Sequence, residues 1–184
     1  MLLYHTGFDE IKVPDIHAGR KNADFGQGFY LSTDLDFTRR WARIRKDRDT
    51  YINTYELDLD AVKVLKLDRD QKWYEYINNN RNNKADIYAE YDVIIGPIAI
   101  DTIYDMYGIT TSGFISAEDA LKILSIGPVY TQVTLKTEKA VEALSFISSE
   151  IVDADIVASY REKVKLEEDA FQEEFAKVME EIAD

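Results

Sequence analysis

The sequence predicts an α+β fold, a bent sheet wrapped by helices with one further helix at the C-terminal end, and three observations predict it. Short apolar segments closed by a polar ring or a Gly-Pro pair read as strands, and hydroxyl residues followed by acids open helical stretches between them. After Asp153 the pattern changes to a single long amphipathic stripe. At 184 residues and 46% hydrophobic content the chain suffices for one domain over residues 1–150, with an acidic helical appendage over residues 151–184.

Taken in order, Leu3-Tyr4-His5-Thr6-Gly7 and the later Asp24-Phe25-Gly26-Gln27-Gly28-Phe29-Tyr30-Leu31-Ser32-Thr33 each read as a short strand that carries a polar ring. Such a pair suits a cleft that grips a flat, polar, nucleotide-like ligand. Thr33-Asp34-Leu35-Asp36 has the form of a helix start, and Phe37, Trp41 and Ile44 recur at helical spacing, so a helix is expected from Asp34 to Arg48. Tyr51 to Leu59 alternates as a half-buried strand, with another around Val62 to Leu67, and Asp70 to Arg81 reads as a helix that runs out in an Asn-rich loop. Tyr91 to Ile95, closed by Gly96-Pro97, reads as a buried strand. Helices are expected at Asp101 to Tyr107 and Ser116 to Leu124, a two-faced strand at Val129 to Lys136, and a helix at Thr137 to Phe146. In the terminal helix Val157, Tyr160, Val164, Phe171, Phe175, Val178 and Ile182 keep one face, and Glu167 interrupts it. That stripe serves either the domain's own core or a docking partner.

Charge narrows the function. A net charge of −13 opposes unspecific binding to nucleic acid. Against it stands one basic segment, Arg39, Arg40, Arg43, Arg45, Lys46 and Arg48, which reads either as a solvated helix face or as a patch that steers a phosphate-bearing ligand. No Cys and two His residues leave little for a metal site, and none is expected. With no run of 18 apolar residues and no leader-like start, a cytoplasmic protein without a membrane partner is expected.

The segment Phe25-Gly26-Gln27-Gly28-Phe29-Tyr30, with His5 before it, resembles the ADP-ribosyltransferase superfamily in the branch shared by diphtheria toxin and the poly(ADP-ribose) polymerases. The likeness extends from Leu3 to about Ser148 and is closer still to a bacterial family of uncharacterised function in the same clan. It implies a split, bent sheet with an NAD cleft between its halves, and a His-Tyr-Glu signature on three strands. His5 takes the first place and Tyr30 the second, and Thr38 and Trp41 stand at the family's spacings, where Trp41 either covers nicotinamide opposite Tyr30 or packs in the core. Thr6-Gly7 departs from the polymerases, which have Gly directly after His, so its contact to NAD is expected to be shifted, and Arg20 reads either as a diphosphate contact or as a surface side chain.

At the third place stands Gln132, on the Val129 to Lys136 strand. A Gln amide oxygen can accept a hydrogen bond from a ribose hydroxyl but brings no negative charge to the oxocarbenium-like transition state. In the resembling family the Glu also activates the acceptor hydroxyl, so the resemblance implies no elongation into poly(ADP-ribose) here. Glu56, Glu90, Glu138 and Glu142 are alternative carboxylates. The resemblance therefore implies a mono-ADP-ribosyltransferase that takes NAD as substrate and modifies a protein or single-stranded nucleic acid, in a toxin–antitoxin or phage-related setting. An antitoxin could dock on the C-terminal helix. The rival readings are an NAD glycohydrolase and a catalytically silent NAD- or partner-binding module.

Overall fold

Seven strands form one mixed sheet in the computed structural model of the chain, which describes residues 1–103 and 115–183, the side chains at 102, 103, 161 and 162 excepted. Along the chain the elements are β1 (Leu2–Gly7), β2 (Phe29–Ser32), α1 (Leu35–Trp41), β3 (Tyr51–Leu57), β4 (Val64–Lys66), α2 (Gln71–Arg81), β5 (Val93–Pro97), α3 (Ile100–Ile103), α4 (Ala117–Leu124), β6 (Thr131–Leu135), α5 (Glu138–Glu142), β7 (Leu144–Ile151) and α6 (Ala154–Ala183). The strand order is β4-β5-β6-β2-β1-β3-β7; β4 and β5 run parallel and every other neighbour antiparallel. The architecture is α+β.

The expected split takes the form of a narrowing within a continuous sheet. On one flank β1 pairs with β3 along its whole length, from Leu2↔Glu56 to Gly7↔Tyr51. On the other flank it meets β2 only at Tyr4↔Ser32. Where backbone pairing stops, a side chain takes over: His5 Nδ1 lies 2.8 Å from the Tyr30 carbonyl oxygen. The two strands thus splay from His5 onward, held by a ring in place of a ladder.

The glycines of the Phe25 to Tyr30 segment have separate jobs. Gly26 adopts φ 74°, a conformation that side chains resist, and so turns the chain into β2. At Gly28 a Cβ would stand 2.5 Å from the Leu135 carbonyl oxygen, so only glycine lets this stretch approach β6. Apolar residues on both faces of the sheet are covered: Ile94 joins a core with Phe25, Trp73, Tyr76 and Phe171, whereas Val93 and Ile95 join another with Leu3, Tyr55 and Val133. β6 is therefore buried on both sides, and the expected polar face carrying Gln132 does not meet solvent.

Two expected helices are shorter than the sequence predicts. α1, capped by the Asp34 side chain on the Phe37 N–H, stops at Trp41 because Ala42 turns extended (ψ 124°) and buries itself beside Ile52, and the crowded cations that follow form a loop. Thr137 to Phe146 is helical only over Glu138–Glu142, after which β7 pairs with β3 from Leu57↔Leu144 to Tyr51↔Ile151. A waiting strand edge there outweighs helix propensity. Strands β3, β4 and β6 are trimmed by one or more residues, and β5 runs on through Gly96 and Pro97. The helix expected at Asp101 to Tyr107 is seen over Ile100–Ile103, and the remainder lies outside the described residues.

α6 lies against the body through Val157 and Phe171, which are 4% and 3% exposed. Glu167, the apparent break in its stripe, is an anchor: its carboxylate accepts from Tyr130 Oη at 3.0 Å and pairs with Arg40 of α1. Tyr160 Oη adds a 2.9 Å bond to Asp36. No helix among the described residues is long and apolar enough to cross a membrane.

Candidate functional site

Where β1 and β2 splay, two adjoining cavities open, of about 290 and 590 Å³. His5, Thr6, Arg20, Tyr30, Thr38, Trp41 and Gln132 all line the smaller one, and Gly7 lines the larger. Thr6, Arg20, Ala23, Asp24 and Trp41 border both. The structure thus brings every site residue expected from the sequence to one place. Of the alternative carboxylates, Glu56, Glu90, Glu138 and Glu142 line neither cavity.

Each side chain is held in a way that limits its chemistry. A carbonyl oxygen only accepts, so His5 Nδ1 carries the proton toward Tyr30, and in the neutral ring Nε2 is the acceptor. Burial lowers the His5 pKa, outweighing the opposing effect of that hydrogen bond, and keeps the ring neutral. Tyr30 Oη donates to the Gly26 carbonyl at 2.6 Å and accepts from the Phe25 N–H at 2.9 Å, which fixes the ring across the cavity wall. Burial first, and then the neighbouring Asp24 carboxylate, raise its pKa well above the ordinary phenol range. The phenol therefore stays protonated and its ring is rigidly placed.

Gln132 is 6% exposed and its Nε2 donates to the Pro97 carbonyl over a long 3.4 Å, which leaves Oε1 as its acceptor. Thr38 donates its hydroxyl to the Asp34 carbonyl at 2.8 Å, so toward a ligand it can only accept. Thr6 Oγ1 is buried and has no hydrogen-bond partner among the described residues, although Thr6 borders both cavities. A buried hydroxyl without a partner is costly. Trp41 closes α1 half-buried, its ring 5.6 Å from that of Phe37.

The basic segment divides its cations. Arg39 pairs with Asp36 and Glu150, Arg40 with Glu167, and Arg45 with Asp47, whereas exposed Arg43 lines the larger cavity together with Arg20. Arg45 and Arg48 lie over the Phe8 ring, at 5.4 and 4.7 Å. Sequence reasoning missed the group at the base of the cavities, in which Arg81 joins Asp24 and Asp101. Asp24 directly precedes the Phe25 to Tyr30 segment, and that adjacency was the one local signal for it.

A family model described as "Protein of unknown function (DUF3990)" matches residues 1–146. The chain belongs to that family. The DUF3990 match takes in every residue that lines the two cavities and ends within β7, so α6 lies outside it. Comparison with curated proteins gives no match.

Proposed function

We propose that the chain is an NAD-dependent mono-ADP-ribosyltransferase that modifies a macromolecule. The observation that carries the reading is the convergence of His5, Thr6, Arg20, Tyr30, Thr38, Trp41 and Gln132 on one cavity at the splayed junction of β1 and β2, with an adjoining space of a volume usual for ligand sites. The charges suit a ligand with an anionic middle and a cationic end: exposed Arg20 and Arg43 border the larger space, while buried Asp24 lies at the boundary with the smaller.

In this reading His5 Nε2 accepts from the adenosine ribose, Thr6 Oγ1 gains its missing partner, and Arg20 with Arg43 meets the diphosphate. Tyr30 and Trp41 enclose the nicotinamide ring, and Gln132 Oε1 accepts from the nicotinamide ribose. The bond from ribose C1′ to the nicotinamide nitrogen breaks with its electron pair going to nicotinamide, and the acceptor's nucleophile takes its place while losing a proton. Holding these parts in register lowers the barrier through orientation.

Purified protein incubated with NAD labelled in its adenylate and with cell lysate tests the reading. Label on a macromolecule is the expected outcome; free ADP-ribose alone would make the protein a glycohydrolase, and unchanged NAD would overturn both. Binding has its own signal, since of the two tryptophans Trp73 is fully buried on Pro97 and Trp41 borders the cavities. NAD should change indole fluorescence, and Trp41→Phe should remove the change. A toxin setting follows from the same reading: expression should slow growth, and Gln132→Ala should relieve it.

A further inference from the structure

Cleavage of a nicotinamide riboside leaves positive charge on the sugar, and Gln132 brings no negative charge to meet it. Among the described residues that line the smaller cavity with Tyr30 and Gln132, Asp24 is the acidic one, and its charge acts on the Tyr30 hydroxyl. It is 8% exposed and held from several sides. Arg81 Nε and Nη2 both bind Asp24 Oδ1, at 2.9 and 2.8 Å, while the two Nη groups of Arg81 grip Asp101 at 2.8 and 2.9 Å. Asn80 Nδ2 fixes the Asp24 carbonyl at 3.1 Å. One guanidinium is thus shared by the two carboxylates at the base of the cavities. Burial alone would lower the Arg81 pKa, but Asp24 and Asp101 together raise it, so the cation is permanent.

We propose that Asp24 is the catalytic carboxylate of this site, its fixed charge stabilising the ribosyl cation while Arg81, bound to Asp101, holds it in position. The proposal rests on the NAD reading above. As the C1′–nitrogen bond lengthens, its electron pair neutralises the nicotinamide ring and the sugar becomes cationic. Asp24 offsets that charge without bonding to C1′ or taking a proton. The nucleophile, an acceptor group or water, then bonds to C1′ and gives its proton to solvent. A preorganised charge in a site of low polarity acts on the transition state more than on the bound ground state. In this chain the charge and the hydrogen bond of the reaction thus come from two strand-proximal residues, Asp24 and Gln132, in place of a single late-strand carboxylate.

The test measures nicotinamide release, NAD affinity and melting temperature for the wild type, Asp24→Asn, Asp24→Asn/Gln132→Glu, and Glu138→Gln as an exposed charge control. Asn keeps an oxygen for Arg81, so Asp24→Asn should bind NAD within about threefold of wild type but cleave it on the order of a hundredfold more slowly. The double variant, with a carboxylate restored to the same cavity, should recover at least tenfold, and Glu138→Gln should match wild type. Should Asp24→Asn melt below the assay temperature, Asp24→Glu takes its place and should cut turnover about tenfold at unchanged affinity. Wild-type turnover in Asp24→Asn or Asp24→Glu would overturn the proposal and leave the NAD reading standing. Loss of affinity in proportion to loss of rate would also overturn it, making the cluster purely structural. Wild-type protein that neither binds NAD nor releases nicotinamide would overturn both.

Discussion

The two flanks of β1 behave as different materials. Toward β3 the strand is laddered from end to end and its Leu3 side chain packs with fully buried Tyr55, whose hydroxyl closes onto the Ile11 carbonyl at 2.6 Å. Toward β2 the ladder lasts for the Tyr4↔Ser32 pair and then gives way to the His5 ring, the unpartnered Thr6 hydroxyl and open space. One strand thus carries a continuous ladder on one side and a cleft on the other. The lesson is that the cleft is made by omitting backbone pairing, with a rigid ladder opposite to hold the omission open.

The largest expected effect lies on the β3 flank. Tyr55→Ala removes a fully buried ring and should cost about 3–5 kcal/mol in denaturant unfolding, while the molecules that remain folded keep their NAD affinity. On the β2 flank the order reverses: His5→Ala should cost no more than about 1–2 kcal/mol, the scale of one hydrogen bond and some packing, yet weaken NAD at least tenfold. Equal stability losses on the two flanks would break the comparison.

A pH series sharpens it. The folded state lowers the His5 pKa below its ordinary 6.5, so between those two values the unfolded chain binds the extra proton. The stability that neutral His5 contributes is fully present above about pH 6.5 and is lost as pH falls toward the folded pKa. The difference in unfolding free energy between wild type and His5→Gln should accordingly be flat above pH 6.5 and shift in favour of the variant below it. The smallest stability effect belongs to Thr6→Val, which replaces an unsatisfied hydroxyl by a methyl of similar shape. Melting should stay level or rise slightly, and NAD affinity should fall about threefold to tenfold, the worth of one hydrogen bond.

What could be read beforehand was what is local. Polar rings on short strands, the glycine pair at Gly26 and Gly28, and Thr38 with Trp41 one turn apart on a capped helix are patterns of neighbouring residues, and they brought the cavity wall into view. What stayed hidden depends on distant partners. β7 is a strand because β3 offers it an edge, although its lead-in has helical spacing. Arg81 stands 57 positions from Asp24, so no window on the sequence shows the pair, and Glu167 looks like a flaw in a stripe until Arg40 and Tyr130 are set across from it. Spacing alone extends α1 through the cations after Trp41, whereas burial of Ala42 turns the chain away.

The claim that the splayed junction is an NAD site is tested most directly by following backbone amide resonances of the labelled protein during NAD titration. The account predicts saturable shifts at Thr6, Gly7, Tyr30 and Gln132, with the β7 amides from Ser148 to Ile151 unmoved. Unchanged spectra at millimolar NAD, or shifts gathered along β3 and β7, would contradict it.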